Sequence, residues 1–330
     1  MRDIAELLDH HWGILATAIS AVGPVWKVTA ETGTYCLKPG KHGRKRLLFN
    51  HHAIEGLHAN GYAGTPRFHP TSTGAPFAVT NEGLFALTDW VGRPLYASSA
   101  TEWNAAAAEL ARFHQAAENL PLPADAPRVY FSGRWLRRYP ERTEQLEALF
   151  RSLDPADLLE AEMREAADQV KERARNATDA LQNSAYRTLV EQVRTRPMLV
   201  HGNVKGENFT VNEKGKICLI DFDSFRLDVS VQDLSDLHAA FLPAVDWSLA
   251  AAQELFESYH AVRPVSADEA DVLLALLAYP TALYKAVHKY KNEGRTPEKA
   301  RRKWRLAYGD FQSENEFFVK WGSWIRNRVE

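Results

Sequence analysis

The sequence predicts an α+β chain in two lobes, a small antiparallel-sheet lobe over residues 1–92 and a mostly helical one over 93–330. Three observations predict it. Short β-patterned runs separated by Gly-bearing turns crowd the stretch before Trp90. Helical periodicity takes over from Thr101. One isolated hairpin, 198–224, interrupts the helices and carries most of the chemistry-bearing residues.

In chain order, Ile4, Leu7, Leu8, Trp12, Leu15 and Ile19 recur at helical spacing, which predicts an amphipathic helix over 2–19. Ala21–Val28 and Thr34–Leu37 read as two strands around the turn Glu31-Thr32-Gly33, and Lys38 closes the second. By itself a lysine there is a charged residue flanking an edge strand. Val22-Gly23-Pro24-Val25-Trp26 offers one glycine, so few backbone N–H groups are free to cradle an anion. Arg46–Asn60 is the next helix; it carries Glu55, a candidate partner for Lys38, and ends at Gly61. His51, His52 and His58 have no Cys or carboxylate cluster to make them a zinc site. Phe77–Thr80 and Phe85–Trp90 read as the last strands of the small lobe, and 87–93, with Asp89 and Trp90, as the hinge. Ala105–Ala117 is an alanine-rich helix, and 128–196 is long, charged and helical, with Trp135 and Leu136 among its anchors and its face charges read as solvent-exposed helix surface. After the hairpin come a helix from Val231 with Asp233 and Asp236, then Trp247–Tyr259 and Ala267–His288. The basic stretch Lys285–Arg305, with Tyr284, Tyr290 and Trp304 interleaved, reads as a solvated helix face before a nucleic-acid surface.

Composition sets outer bounds. The chain has 330 residues, enough for a substantial core, with 45% hydrophobic and 25% charged residues. A net charge of −2 gives no global attraction to nucleic acid or membrane. Cys36 and Cys218 both fall in predicted strands and read as small hydrophobes in a reducing compartment. With no secretory signal in Met1–Leu8 and no run of about 18 apolar residues, the expected location is the cytoplasm, with no membrane partner.

In the hairpin, Met198-Leu199-Val200 is a buried strand ending at His201-Gly202. Asn208 precedes Phe209-Thr210-Val211, a turn at Asn212–Gly215 leads into Lys216–Ile220, and Asp221 follows. An amide and a carboxylate thus lie at the same end of paired strands. That pair suits Mg²⁺, which takes one or two protein oxygens and leaves its other positions to phosphates and water.

The series His201-Gly202-Asn203, Lys205, Asn208 and Asp221-Phe222-Asp223 resembles the catalytic and metal loops of the protein-kinase-like fold. His-Gly and Ile-Asp-Phe-Asp are similar to the aminoglycoside-phosphotransferase and choline-kinase branch. Gly33-Thr34-Tyr35-Cys36-Leu37-Lys38, Leu87-Thr88-Asp89-Trp90, Arg112-Phe113-His114 and Ala278-Tyr279-Pro280 through Lys289-Tyr290 resemble the spore-coat protein S family within it. The resemblance implies ATP and Mg²⁺ as cofactors and makes 1–92 a nucleotide-binding lobe. It implies Lys38 at the phosphates, paired with Glu55, and Asp89 and Trp90 at the adenine hinge. Asn208 and Asp221 become the metal ligands, Asn203 and Lys205 the catalytic-loop residues, and Asp233 the support beneath the loop. Partners would be the nucleotide and an unknown hydroxyl acceptor, or spore-coat proteins, and the spore coat is the other location implied.

Asn203 stands where active relatives carry the catalytic Asp. Its amide can orient a hydroxyl but cannot take a proton at neutral pH. General-base assistance is worth ~10²–10⁴-fold, yet phosphoryl transfer depends mainly on positioning and charge neutralisation. Asp223 and Glu207 are nearby carboxylates that nothing in the sequence places at the acceptor. Two readings follow: a slow ATP-dependent kinase, and a pseudokinase scaffold or structural spore-coat protein.

Overall fold

The computed structural model describes residues 2–329 and contains a five-stranded antiparallel sheet followed by a mostly helical remainder. The first elements are α1 (Arg2–Trp12), β1 (Ala16–Val22), β2 (Val25–Ala30), β3 (Gly33–Pro39), α2 (Arg44–Ala59), β4 (Ala78–Thr80) and β5 (Gly83–Asp89). Strand order is β1-β2-β3-β5-β4, so the 25–38 and 77–90 segments share one sheet, as the sequence predicts.

Two boundaries differ from that reading. The helix over 2–19 stops at Trp12, because Gly13 takes a left-handed φ of 65° and Ala16 begins a strand. Ala21–Val28 is no single strand: Gly23, at φ 57°, turns the chain, and Val22 pairs with Val25 across it. The alternation within β3 decides what faces where. Tyr35 and Leu37 pack into the core beneath α1 with Leu8 and Leu87, while Cys36 and Lys38 point to the opposite face.

The remainder begins with β6 (Arg93–Pro94) and α3 (Ala100–Ala117), whose N-cap Ser99 accepts from the Glu102 amide. Next come α4 (Arg134–Arg151), α5 (Leu158–Glu165), α6 (Ala167–Asn183) and α7 (Tyr186–Thr195). The short strands β7 (Leu199–Val200), β8 (Phe209–Val211), β9 (Ile217–Leu219) and β10 (Arg226–Leu227) follow, then α8 (Val231–Phe241) and α9 (Leu249–His260). The predicted helix 267–288 is two helices, α10 (Ala267–Ala278) and α11 (Thr281–Asn292). Pro280 cannot donate the interior helical bond, which explains the break. Residues 267–292 are long and apolar enough to cross a membrane by composition, contrary to the sequence expectation, but 67% of an apolar 18-residue window within them is buried inside the protein.

The final helix, α12 (Pro297–Val329), drives Trp304 and Trp321 fully into the core. This accounts for the basic stretch 285–305: its tryptophan is core, Lys291 is paired with Glu160 at 3.0 Å and Arg305 with Glu162 at 3.1 Å. Cys36 and Cys218 are both free thiols.

Candidate active site

The loop after β7 owes its shape to groups buried beneath it. Gly202 sits at φ 78°, and a Cβ there would drive into the Arg226 guanidinium and the Ser224 carbonyl. The His201 and Gly202 amides both donate to Asp233 on α8, at 2.6 and 2.8 Å. The His114 Nε2–H donates to the same carboxylate at 3.1 Å, and its Nδ1 accepts from the Tyr259 hydroxyl at 2.6 Å. Burial alone would raise the Asp233 carboxyl, but the His114 hydrogen bond and the nearby Arg226 guanidinium hold it below the usual range. Burial keeps His114 itself neutral, which matches one ring nitrogen donating and the other accepting.

His201 does a second job. Its ring, fully buried and held neutral by that burial, donates from Nε2 to the Ile220 carbonyl at 2.9 Å. Asn208 Nδ2 donates to the Asn203 carbonyl at 2.7 Å, and the Ile220 amide to the Asn208 carbonyl at 2.9 Å. The two bonds to Ile220 tie the 201–208 loop to the end of β9 and the Asn208–Asn203 bond closes the loop on itself, so Asn208 and Asp221 share one end of the hairpin. Asp221 adopts φ 67°, ψ 66°, a left-handed conformation that Asp tolerates better than most residues and that recurs at functional sites.

Lys38 reaches this corner from the sheet. It forms an ion pair with Asp221 and lies 3.0 Å from Asp223. Burial would depress the Lys38 ammonium, yet the two carboxylates outweigh it and raise its pKa. Glu55 does not join them. It is paired with Arg67, whose Nε donates at 3.0 Å, so the expected Lys38–Glu55 pair is absent and α2 presents Arg46 to the Phe225 carbonyl instead.

A cavity of about 410 Å³ lies between the sheet and the hairpin. Its walls include Val22 and Pro24 of the β1–β2 turn, Lys38, hinge residues Asp89 to Gly92, and Asp221. Asp89 also holds His69 at 2.7 Å, and the Lys27 ammonium lies 5.2 Å from the Trp90 ring. The Trp90 amide already donates to Thr34 at 2.9 Å. Gly92, at φ 56°, lets the hinge pass against the Val211 carbonyl, where a side chain would collide. A second cavity, about 500 Å³, opens on the other side of the loop and is walled by Asn203, Lys205 and residues of α4, α8 and α11. Lys205 lies 3.4 Å from Glu207.

The sequence passed over Arg226 and Asp228. This buried pair, 3.0 Å apart, aims Arg226 Nη1 at the Gly202 carbonyl at 2.7 Å. No local signal marks it beyond a charged residue in a two-residue strand.

Known proteins resemble this chain in sequence and in fold. Spore coat protein S of Bacillus subtilis (strain 168) is 24% identical over 274 residues, 81% of this chain and 76% of that protein. An aminoglycoside phosphotransferase from Alicyclobacillus acidocaldarius superposes with a TM-score of 0.84 at 17% identity, covering 94% of this chain and 93% of its own. A spectinomycin phosphotransferase, solved as an AMP-bound complex, gives a TM-score of 0.66 at 14% identity over 95% of this chain and 99% of its own. With a match to the phosphotransferase enzyme family spanning residues 17–272, the chain belongs to that family.

Proposed function

We propose that this chain is an Mg-ATP-dependent phosphotransferase that acts slowly on a small hydroxyl compound, with the 410 Å³ cavity taking the nucleotide and the 500 Å³ cavity the acceptor. The observation that carries the reading is the single loop, 203–208, standing between the two cavities with Lys38 and Asp221 meeting beside it. The AMP held by the spectinomycin enzyme supports a nucleotide in the first cavity.

The donor set fits the metal. Asp221 and Asp223 already accept a cation, the Lys38 ammonium, and Asn208 commits its amide nitrogen to Asn203, which leaves its oxygen to coordinate. Asn208 and Asp221 would hold Mg²⁺, which when bound neutralises phosphate charge. Lys38 exchanges its carboxylate partners for the donor's phosphates. Asp89 and Trp90 wall the adenine end, and because the Trp90 amide is taken, the hinge donor falls to Val91 or Gly92. Lys205 neutralises the group in transit. Asn203 orients the acceptor hydroxyl, whose oxygen bonds to the γ-phosphorus as the bridging P–O bond breaks and its electron pair leaves with ADP. The hydroxyl proton goes to water, since an amide cannot hold it.

Asn203 also favours a second reading, a pseudokinase scaffold, and the likeness to spore coat protein S supports the spore coat as its location. ATP turnover against hydroxyl acceptors, compared for wild type, Asn203→Asp and Asn203→Ala, separates the two. A slow enzyme gains part of ~10²–10⁴-fold with Asp and loses rate with Ala. A flat, blank-level rate for all three, with melting temperatures intact, rejects the enzyme.

A further inference from the structure

The acceptor-side cavity has an unusual charge lining. Arg134, Arg138 and Arg142 of α4 all face it, and none lies within ion-pair distance of a carboxylate among the described residues. Aromatic rings hold them instead. The guanidinium carbons of Arg134, Arg138 and Arg142 lie 4.6, 6.0 and 5.1 Å from the Trp135 ring centre, and Arg142 lies 5.3 Å from that of Tyr284. A guanidinium that packs beside aromatic rings and pairs with no carboxylate keeps N–H donors for a planar or tetrahedral oxyanion. Arg134 Nε and Trp135 Nε1 lie behind this face, buried and without a hydrogen-bond partner.

Lys285, in the second turn of α11, adds a fourth cation, its pKa lowered by burial and by the proximity of Arg142, Lys289 and Lys205. Three acids also line the cavity. Glu314 is taken by Arg173. Burial raises Asp310, assisted by Asp246, and pushes Asp236 up to about 7, assisted by Asp233, so Asp236 is only partly ionised at neutral pH and the four cations outnumber the acids left to oppose them.

We propose that the α4 arginines and Lys285 form an anion subsite, and that the acceptor is a polyol or sugar carrying a carboxylate or phosphate group. Binding the anion against α4 holds the rest of the molecule beside Asn203, which lines the same cavity. The acceptor role, though not the anion subsite, rests on the phosphotransfer reading.

Calorimetry on the full chain with saturating Mg-ADP, which occupies the nucleotide cavity, tests this. The probes are gluconate and glycerol 3-phosphate, neutral glucose and glycerol, cationic glucosamine, and inorganic phosphate alone. At least one anionic polyol is expected to bind ten-fold or more tighter than its neutral counterpart. The double variant Arg138→Gln, Arg142→Gln should lose ten-fold or more of that affinity while its Mg-ADP affinity and melting temperature hold. Arg142→Lys, which keeps charge but loses the fork, should fall between. Gluconate binding without glycerol 3-phosphate or phosphate binding assigns the subsite to carboxylates, and the reverse to phosphates. The inference is overturned if neutral or cationic probes bind as tightly, if no anionic probe binds at 10 mM, or if the double variant keeps wild-type affinity. Nucleotide binding without anion binding overturns this inference alone. Anion binding without nucleotide binding overturns the phosphotransfer reading alone.

Discussion

The underside of the 201–208 loop and its open face are built to opposite standards. Beneath it, His114, His201, Arg226 and Asp233 are buried and interlocked by hydrogen bonds. On the face, Asn203 is half-buried and uncharged, and Lys205 is exposed. The loop is therefore fixed from below, while its open face carries at Asn203 an amide that takes no proton at neutral pH. Stability and chemistry can be perturbed separately here, and each of the following experiments tests that separation.

The largest effect is expected from Asp233→Ala, which strands two backbone amides and a buried histidine. At ~1–3 kcal/mol for each orphaned group, with partial relaxation, chemical denaturation should show a loss of about 3–5 kcal/mol. A loss below about 1 kcal/mol would mean that the underside does not fasten the loop.

Gly202→Ala acts on the same side through sterics. The left-handed φ costs ~1 kcal/mol for a residue with a Cβ, and displacing Arg226 and the Ser224 carbonyl adds ~1–3 kcal/mol. Denaturation should register about 2–3 kcal/mol, and a neutral outcome would show that the loop can shift without cost.

On the open side, Asp221→Asn keeps a side chain that tolerates left-handed backbone but removes the negative charge. Mg-ATP affinity by calorimetry should fall about ten-fold, the equivalent of ~1.4 kcal/mol, with Mg²⁺-free nucleotide binding nearly unchanged. An unchanged Mg-ATP affinity removes the metal assignment.

Asp236 lies on α8, one turn beyond Asp233, and its effect depends on pH. Its folded pKa is raised from the usual 3.8 to about 7, so between those values the folded state holds the proton more tightly than the unfolded chain. Stability from this group therefore falls as pH rises through that window and is lowest above 7. Asp236→Asn should melt progressively higher relative to wild type between pH 4 and pH 8. A difference that does not change with pH would show that the carboxyl titrates normally.

Glu55→Gln should do least. Its partner Arg67 is exposed, and exposed pairs contribute little. Neither melting temperature nor Mg-ATP affinity is expected to move measurably, whereas a loss of nucleotide affinity would bring Glu55 back to Lys38.

The sequence by itself determined what depends on near neighbours. The spacing of His201, Asn208 and Asp221 puts the Asn208 amide and the Asp221 carboxylate at one end of a hairpin, because the turn and the two-residue period fix which ends meet. The same period turned Lys38 away from the core that Leu37 enters. Asp233 could be placed beneath the loop only through a family pattern, and the structure puts its carboxylate against the two loop amides.

Tertiary structure decided what depends on distant segments. Lys38 chose Asp221 and Asp223, 183 and 185 residues away, because the sheet and the hairpin bring them to the same corner, while Arg67 captured Glu55 from a loop with no readable periodicity. Arg134, Arg138 and Arg142 looked like a solvated helix face, since charge at helical spacing does not say which side meets solvent. Only the packing of α4 against α11, and the loop standing beside both, turns that face inward to a cavity. Periodicity reports the order of apolar and polar faces along one element; the pairing of charges is set by which elements the core holds together.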